Sequence, residues 1–232
     1  MNLFYQPLLP EGVFHLDADE SKHAVRVLRK NVGDVIRLID GKGVFYDASI
    51  TKADPAKCQF TITSQTAEVK NNYSIHIAIS LTKNTDRIEW FVEKAVEIGV
   101  DKITLIACQK SERVHLKTER LERVAVSAMK QSLKATLPEI NGIIKLNDVI
   151  RQSTEHEKFI AYVDQTNPDH LKNMITRDAS YLVLIGPEGD FSETELTLAL
   201  QHNFKKVSLG KSRLRTETAG MAACHILNLF NS

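Results

Sequence analysis

At 232 residues the chain is long enough for one large domain or two small ones, and its 43% hydrophobic and 25% charged residues exclude the disordered and fibrous classes. The formal net charge is +1, and residues 1–70 carry nine basic and nine acidic side chains, so any hold on nucleic acid must come from placed clusters of Lys and Arg. Cys58, Cys108 and Cys224 are odd in number, far apart and lack CxxC or Cys/His spacing, so neither a disulfide framework nor a zinc site is suggested and they read as small buried hydrophobes.

No charged-then-apolar leader and no apolar run of membrane length occurs, so the protein is expected to have no membrane partner and to work in the reducing cytoplasm. Residues 1–70 alternate strand-like pieces at 13–16, 35–39, 44–50 and 60–63 with turn signals, and Asp40-Gly41-Lys42-Gly43 reads as a hairpin connection. Within this β-rich module 20–30 predicts a short amphipathic helix. Its stripe is Ala24, Val27 and Leu28, and Lys22, His23, Arg26, Arg29 and Lys30 form its polar side. A boundary falls near 70, giving domains 1–70 and 71–232.

The second part reads strand, helix, strand, helix. An apolar strand is expected at 74–81. A helix follows, with Asp86 and Glu89 at capping-box spacing, Ile88, Phe91, Val92, Ala95 and Val96 on one face, and Gly99 as its stop. Trp90 reads as a core or subunit contact ahead of a base-stacking residue. After a strand at 103–107, Leu121, Val124, Ala125, Ala128, Met129 and Ser132 recur at helical spacing, with Arg113, Arg120 and Arg123 before or away from that face. Signals are weak over 143–157, and 159–163 predicts a further buried strand.

From 181 the chain is most informative. The run 181–185 is a buried strand stopping at Gly186-Pro187. Ser192 and Glu195 have capping-box spacing, and Leu196, Ala199 and Leu200 supply the apolar face of the next helix. A strand at 207–209, a polar loop at 211–218 and an apolar helix at 219–230 complete the chain. Two loops at strand ends of an open α/β sheet define a ligand crevice. From Lys205 to Arg215, running into the second loop, there are five basic residues, Lys205, Lys206, Lys211, Arg213 and Arg215, and no acidic one.

The segment GPEGDF, followed about twenty residues later by LGKSRLRTETA, resembles the signature of the RsmE family of rRNA uridine N3-methyltransferases, knotted enzymes of the SPOUT class. HAVRVLR with Gly33-Asp34, Glu97-Ile98-Gly99-Val100, and Gln131-Ser132 with Pro138 extend the likeness along nearly the whole chain. Two departures stand out. Asp190 replaces a second glycine after GPEG, and Leu133-Lys134 replaces the arginine that commonly follows Gln-Ser. Asp tolerates left-handed backbone better than most residues, so the turn is expected to survive.

The resemblance implies an α/β fold: a C-terminal SPOUT domain with a deep trefoil knot, preceded by a small PUA-like β-barrel that binds RNA. It also implies a homodimer acting on 16S rRNA of the small ribosomal subunit with S-adenosylmethionine as cofactor and no metal. Cofactor contacts would come from Leu184, Ile185, Gly186, Pro187, Glu188 and Gly189, and from Leu209, Gly210, Ser212, Leu214, Arg215, Thr216, Thr218 and Ala219. RNA contacts would come from Lys22, His23, Arg26, Arg29, Lys83, Arg87 and Arg213.

Uracil N3 is protonated at neutral pH, so a proton acceptor and a cation beside the flanking carbonyls are the groups the chemistry needs. Glu217 and Arg215 offer both; the alternative is that they pair with each other or with a neighbouring subunit. A non-catalytic RNA-binding factor and a small-molecule methyltransferase are the rival readings of the whole chain.

Overall fold

The structure is a computed structural model describing residues 2–111, 116–164 and 169–232. Arg113, one of the arginines noted in the sequence, lies outside the described residues. The chain divides into two compact units, Met1–Lys70 with Val126–Leu137, and Asn71–Ala125 with Pro138–Ser232.

In the first unit β1 (Leu3–Tyr5), β2 (Val35–Ile39), β3 (Val44–Lys52) and β4 (Gln59–Ala67) form one sheet in that order. β1 pairs with β2 in parallel, and the other pairs are antiparallel. Alternate residues Ile36 and Leu38, then Tyr46, Ala48 and Ile50, point to a core shared with Phe4, Leu16 and Phe60, as strand periodicity requires. Asp40 fixes the β2–β3 turn by accepting from Lys42 N at 2.7 Å and Val44 N at 3.2 Å, while Gly41 and Gly43 adopt positive φ. The piece expected as a strand at 13–16 makes only an isolated bridge, His15 to Gln59.

Residues 126–137, placed by sequence in the second domain, group with the first unit. Ala135 N and Thr136 Oγ1 donate to the Glu68 carboxylate at 3.1 and 2.6 Å, and Lys130 pairs with Glu20.

The helical segment begins as α1 (Ala18–Lys22), capped by Asp17 accepting from Glu20 N at 2.8 Å, and continues as a π-helix over His23–Val27. That wider winding overturns the expected apolar stripe. Leu28 N reaches back five residues to His23 O at 2.9 Å, which rotates Val27 outward to 63% exposure. Val25 joins Ala24 and Leu28 against the core instead.

The second unit is a parallel six-stranded sheet of β5 (Ser74–Ser80), β6 (Lys102–Ala107), β7 (Glu139–Lys145), β8 (Glu157–Ala161), β9 (Ser180–Ile185) and β10 (Lys205–Val207), in spatial order β10-β8-β9-β5-β6-β7. Its helices are α2 (Thr85–Ile98), α3 (Thr118–Gln131, which continues into the first unit), α4 (Leu146–Gln152), α5 (Glu193–Gln201) and α6 (Thr216–Asn231). Near-continuous apolar strands such as Leu182-Val183-Leu184 are what a sheet covered on both faces selects.

The face of α2 is buried as its spacing predicts, and Gly99 ends the helix at φ 121. Its cap differs. Asn84 accepts from Asp86 N at 2.9 Å, and Glu89 instead pairs with Arg120 Nε at 2.6 Å. The capping box of Ser192 and Glu195 on α5 is present as expected, but Leu200 points outward at 47% exposure and Glu195 takes a buried position. Helix α6 packs against α2, β5 and β9. The three cysteines are buried and form no disulfide.

Candidate functional site

From β5 the chain steps through β6 to β7 at one edge, then restarts at β8 on the other side, so adjacent β5 and β9 flank the point where the direction of progression reverses. Ligand crevices of open parallel sheets form at the carboxyl ends of such strands. Here β9 ends at Ile185, paired with Ile79, and the turn Gly186–Gly189 follows. Gly186 is closely approached: a Cβ there would stand 3.1 Å from the ring of buried Phe191, which would have to give by a few tenths of an ångström.

The two sequence-predicted loops meet. Thr216 Oγ1 donates to Gly186 O at 3.1 Å, and Arg213 donates through a guanidinium nitrogen to Glu188 O at 3.1 Å. Lys83 N approaches Glu188 Oε1 at 3.5 Å. Leu184 and Ile185 are strand residues and Pro187 is buried. Glu188, Gly189, Gly210, Ser212 and Arg215 are exposed, and Leu209, Leu214, Thr218 and Ala219 are half-buried.

Arg215 is the N-cap position of α6, and Thr216 and Glu217 are buried in its first turn. Asp86, Arg87, Trp90, Arg215, Glu217 and Thr218 line a cavity of about 330 Å³. Glu217 Oε1 lies 3.9 Å from Arg87 Nε, so the carboxylate faces Arg87 and forms no ion pair with Arg215. Its other oxygen, Oε2, is buried without a hydrogen-bond partner among the described residues. A buried acceptor without a protein partner calls for an explanation, and a functional role is one.

Of the residues assigned to RNA, Lys83, Arg87 and Arg213 stand around these loops in the second unit. In the first unit Lys22, His23 and Arg26 are exposed on the helical segment, which ends at Val27 short of the expected residue 30, and Arg29 is exposed just after it at φ 55. Sequence reasoning missed Lys110, whose Nζ donates to Gly189 O at 2.9 Å and Phe191 O at 3.2 Å. A lysine three residues past an ordinary strand carries no local signal of such a role. Trp90 is 40% exposed beside Arg87, and no core position claims it.

Leu209 and Leu214 are half-buried, and a Cβ added to Gly210 would meet nothing within 4 Å, so the second loop combines apolar side chains with open space, features that an adenosine group requires. Among the described residues no cluster of three His, Cys, Asp or Glu could hold a metal ion.

Fold and site define an α/β enzyme with its ligand crevice at a topological switch point, preceded by a β-rich module. A family model described as RNA methyltransferase domain matches residues 69–228, and one described as RNA methyltransferase PUA domain matches 16–63. The chain belongs to the RsmE family of RNA methyltransferases. It is 29% identical to ribosomal RNA small subunit methyltransferase E of Aquifex aeolicus, over 99% of this chain and 100% of that protein. The crystal structure of a probable rRNA methyltransferase from Porphyromonas gingivalis is 45% identical, with a TM-score of 0.93 over 99% of both chains. Ribosomal RNA small subunit methyltransferase E of Neisseria gonorrhoeae, solved bound to S-adenosylmethionine, is 26% identical, with a TM-score of 0.84 over 100% of this chain and 98% of that one.

Proposed function

We propose that this protein methylates N3 of a uridine in 16S rRNA of the small ribosomal subunit, in the cytoplasm, with S-adenosylmethionine held by 184–189 and 209–219. The observation that carries the reading is the buried Oε2 of Glu217, without a hydrogen-bond partner among the described residues, in a cavity shared with Arg215 and Arg87 next to two joined loops at the strand ends. The cofactor supplies a methyl group activated on a sulfonium. What remains for the protein is placement, proton removal and charge stabilisation.

Glu217 Oε2 accepts the N3 proton, directly or through a water, because it is the one acceptor of the pair left open by Arg87. Arg215 presents a planar, two-pronged donor to the uracil oxygens, where negative charge grows as the proton leaves. Arg87 holds Glu217 in place, and Lys83 and Arg213 meet RNA phosphates at the crevice rim. Lys22, His23, Arg26 and Arg29 add RNA affinity from the first domain without taking part in the chemistry. Arg26→Ala with Arg29→Ala should therefore flatten the salt dependence of RNA binding.

We further propose a homodimer that uses the α2–α6 pair, on which Trp90 and Leu229 are exposed at 40% and 64%. The C-terminal segment is threaded as a trefoil knot. In support of this, the chain runs from β10 at the sheet edge back past β8 and β9 to set α6 against β5.

Calorimetry with S-adenosylmethionine and its demethylated product tests the cofactor assignment, and no binding of either would favour a non-catalytic RNA-binding factor. For the chemistry, single-turnover rates of Glu217→Gln should recover as pH rises and N3 ionises unaided, and Arg215→Ala should lose turnover more than cofactor affinity. Near-normal rates in both variants would remove the pair from the mechanism.

A further inference from the structure

The turn that follows β9 is braced by a side chain that follows β6, Lys110, and by a carboxylate, Asp190, that reaches the backbone just after β8. Asp190 sits in the left-handed region at φ 60, where a residue with a side chain is disfavoured and glycine is not. Its carboxylate is half-buried, and burial pushes its carboxyl above the usual range against the opposing pull of two backbone N–H groups and of Lys110 and Arg213.

This strained position has a visible use. Oδ2 accepts from Val163 N at 3.0 Å, and Oδ1 accepts from Phe191 N at 2.8 Å. Val163 follows β8, the neighbour of β9 on one side. Lys110 follows β6, beyond β5 on the other side, and its ammonium joins Gly189 O and Phe191 O, one carbonyl before Asp190 and one after it. The Lys110 stem packs 3.4 Å from where a Cβ on Gly189 would lie. A glycine at 190 would accept φ 60 freely and would lose both carboxylate bonds, so the position gives up backbone ease in exchange for a tie to β8.

We infer that Asp190 and Lys110 are positioning residues for the cofactor: together they hold the Gly186–Gly189 turn, from the β8 side and the β6 side, in the one geometry that receives it. Neither residue touches the reacting atoms; both act through the carbonyls and N–H groups of the turn. The inference rests on the proposed cofactor role of this loop and adds to it the residues that make the loop competent.

The test measures S-adenosylmethionine binding by calorimetry, and turnover at saturating cofactor, in the full chain and in Asp190→Asn, Asp190→Gly, Lys110→Met and Lys110→Arg. An amide keeps one of the two carboxylate acceptors and glycine keeps neither, so Kd should rise from wild type through Asp190→Asn to Asp190→Gly. The full loss should be about tenfold, as expected for one charge-assisted hydrogen bond that orders the turn. Lys110→Met should match that loss, and Lys110→Arg, which can again bridge two carbonyls, should recover most of it.

Binding stoichiometry, KM for rRNA and turnover at saturating cofactor should stay near wild type in all four. Wild-type Kd in both Asp190→Gly and Lys110→Met overturns the inference. So does a fall in stoichiometry and turnover at unchanged Kd, the pattern of a fold that is merely damaged. A wild-type chain that binds no cofactor overturns the loop's assignment itself, and that failure is distinguishable because it precedes any variant.

Discussion

Replacing Gly220 by Ala sets two effects of known size against each other. Gly220 lies in α6, one turn beyond Glu217, and helix propensity alone favours Ala there by about 1 kcal/mol. The packing opposes this. An added Cβ would lie 2.7 Å from Phe91 Cε2, 2.9 Å from Ile79 Cδ1 and 3.0 Å from Phe91 Cδ2, where carbon atoms at rest stay about 3.5–4.0 Å apart. Phe91 and Ile79 are both fully buried, so neither can swing into solvent, and α6 must move away from α2 and β5 by several tenths of an ångström.

Overpacking of this kind costs about 1–3 kcal/mol, and three simultaneous contacts place it toward the upper end. The net expectation is a loss of roughly 1–2 kcal/mol, seen as a fall of about 2–8 °C in melting temperature for a chain of this size. Scanning calorimetry reads it directly, and Phe91→Leu in the same chain should cancel part of the loss through their shared contact. Because Glu217 and Arg215 ride on the same helix, cofactor affinity should drop as well. A melting temperature raised by Gly220→Ala, as propensity alone predicts, would refute the close α2–α6 contact and the placement of Glu217 that depends on it.

Two further outcomes follow from buried ionisable groups. Glu155 accepts from His76 Nδ1 at 2.6 Å, and His76 Nε2 meets Thr104 Oγ1 at 2.8 Å. Burial alone would raise the Glu155 carboxyl, but the His76 bond and charge, together with backbone N–H groups, bring it below its ordinary 4.5. Its stabilising contribution is therefore full above pH 4.5 and lost as pH falls below that value, and Glu155→Gln should abolish this part of the acid dependence of urea unfolding. An acid dependence unchanged by the substitution would show that the pair contributes nothing. Cys108, pushed up to about 12 chiefly by burial, should resist thiolate-directed reagents in the native protein at pH 8 and react only on unfolding. Rapid native labelling at that residue would contradict its buried position.

How far the sequence could be read depends on whether the signal was local. Helix α2 was legible because five apolar residues at helical spacing and a terminal glycine agree, and Ser192 with Glu195 announced the start of α5 with a pattern that has a mechanism. The strand Leu3–Tyr5 was not, since three residues carry no period and its pairing with β2 is set by tertiary contact. The π-helix at His23–Val27 has the same composition as an ordinary amphipathic turn, so Val27 was placed on the wrong face. Residues 126–131 continue a regular helix that ends at Gln131, and nothing in the spacing of 126–137 reveals their bonds to Glu68 and Glu20 within the first unit.

The same division runs through the site. The glycine-marked turn after β9 and the Arg-x-Glu of the second loop are sequence features, and the structure places Thr216 on Gly186 and Glu217 in the cavity with Arg215. Which cation faces Glu217 was beyond local reading, because Arg87 is 130 residues away in the chain and reaches it only through α2–α6 packing. Lys110 was invisible for the same reason: its partners are backbone carbonyls of a loop about 80 residues further on.

The central claim is tested most directly by mass analysis of nucleosides from small-subunit rRNA, taken from cells lacking the gene and incubated with the purified protein and S-adenosylmethionine carrying a heavy-isotope methyl group. A single labelled product is expected, 3-methyluridine at no more than one per 16S rRNA, and it should be absent when Glu217→Gln replaces the wild type at neutral pH. Label on any other nucleoside, or no label from a protein shown to bind the cofactor, would contradict it.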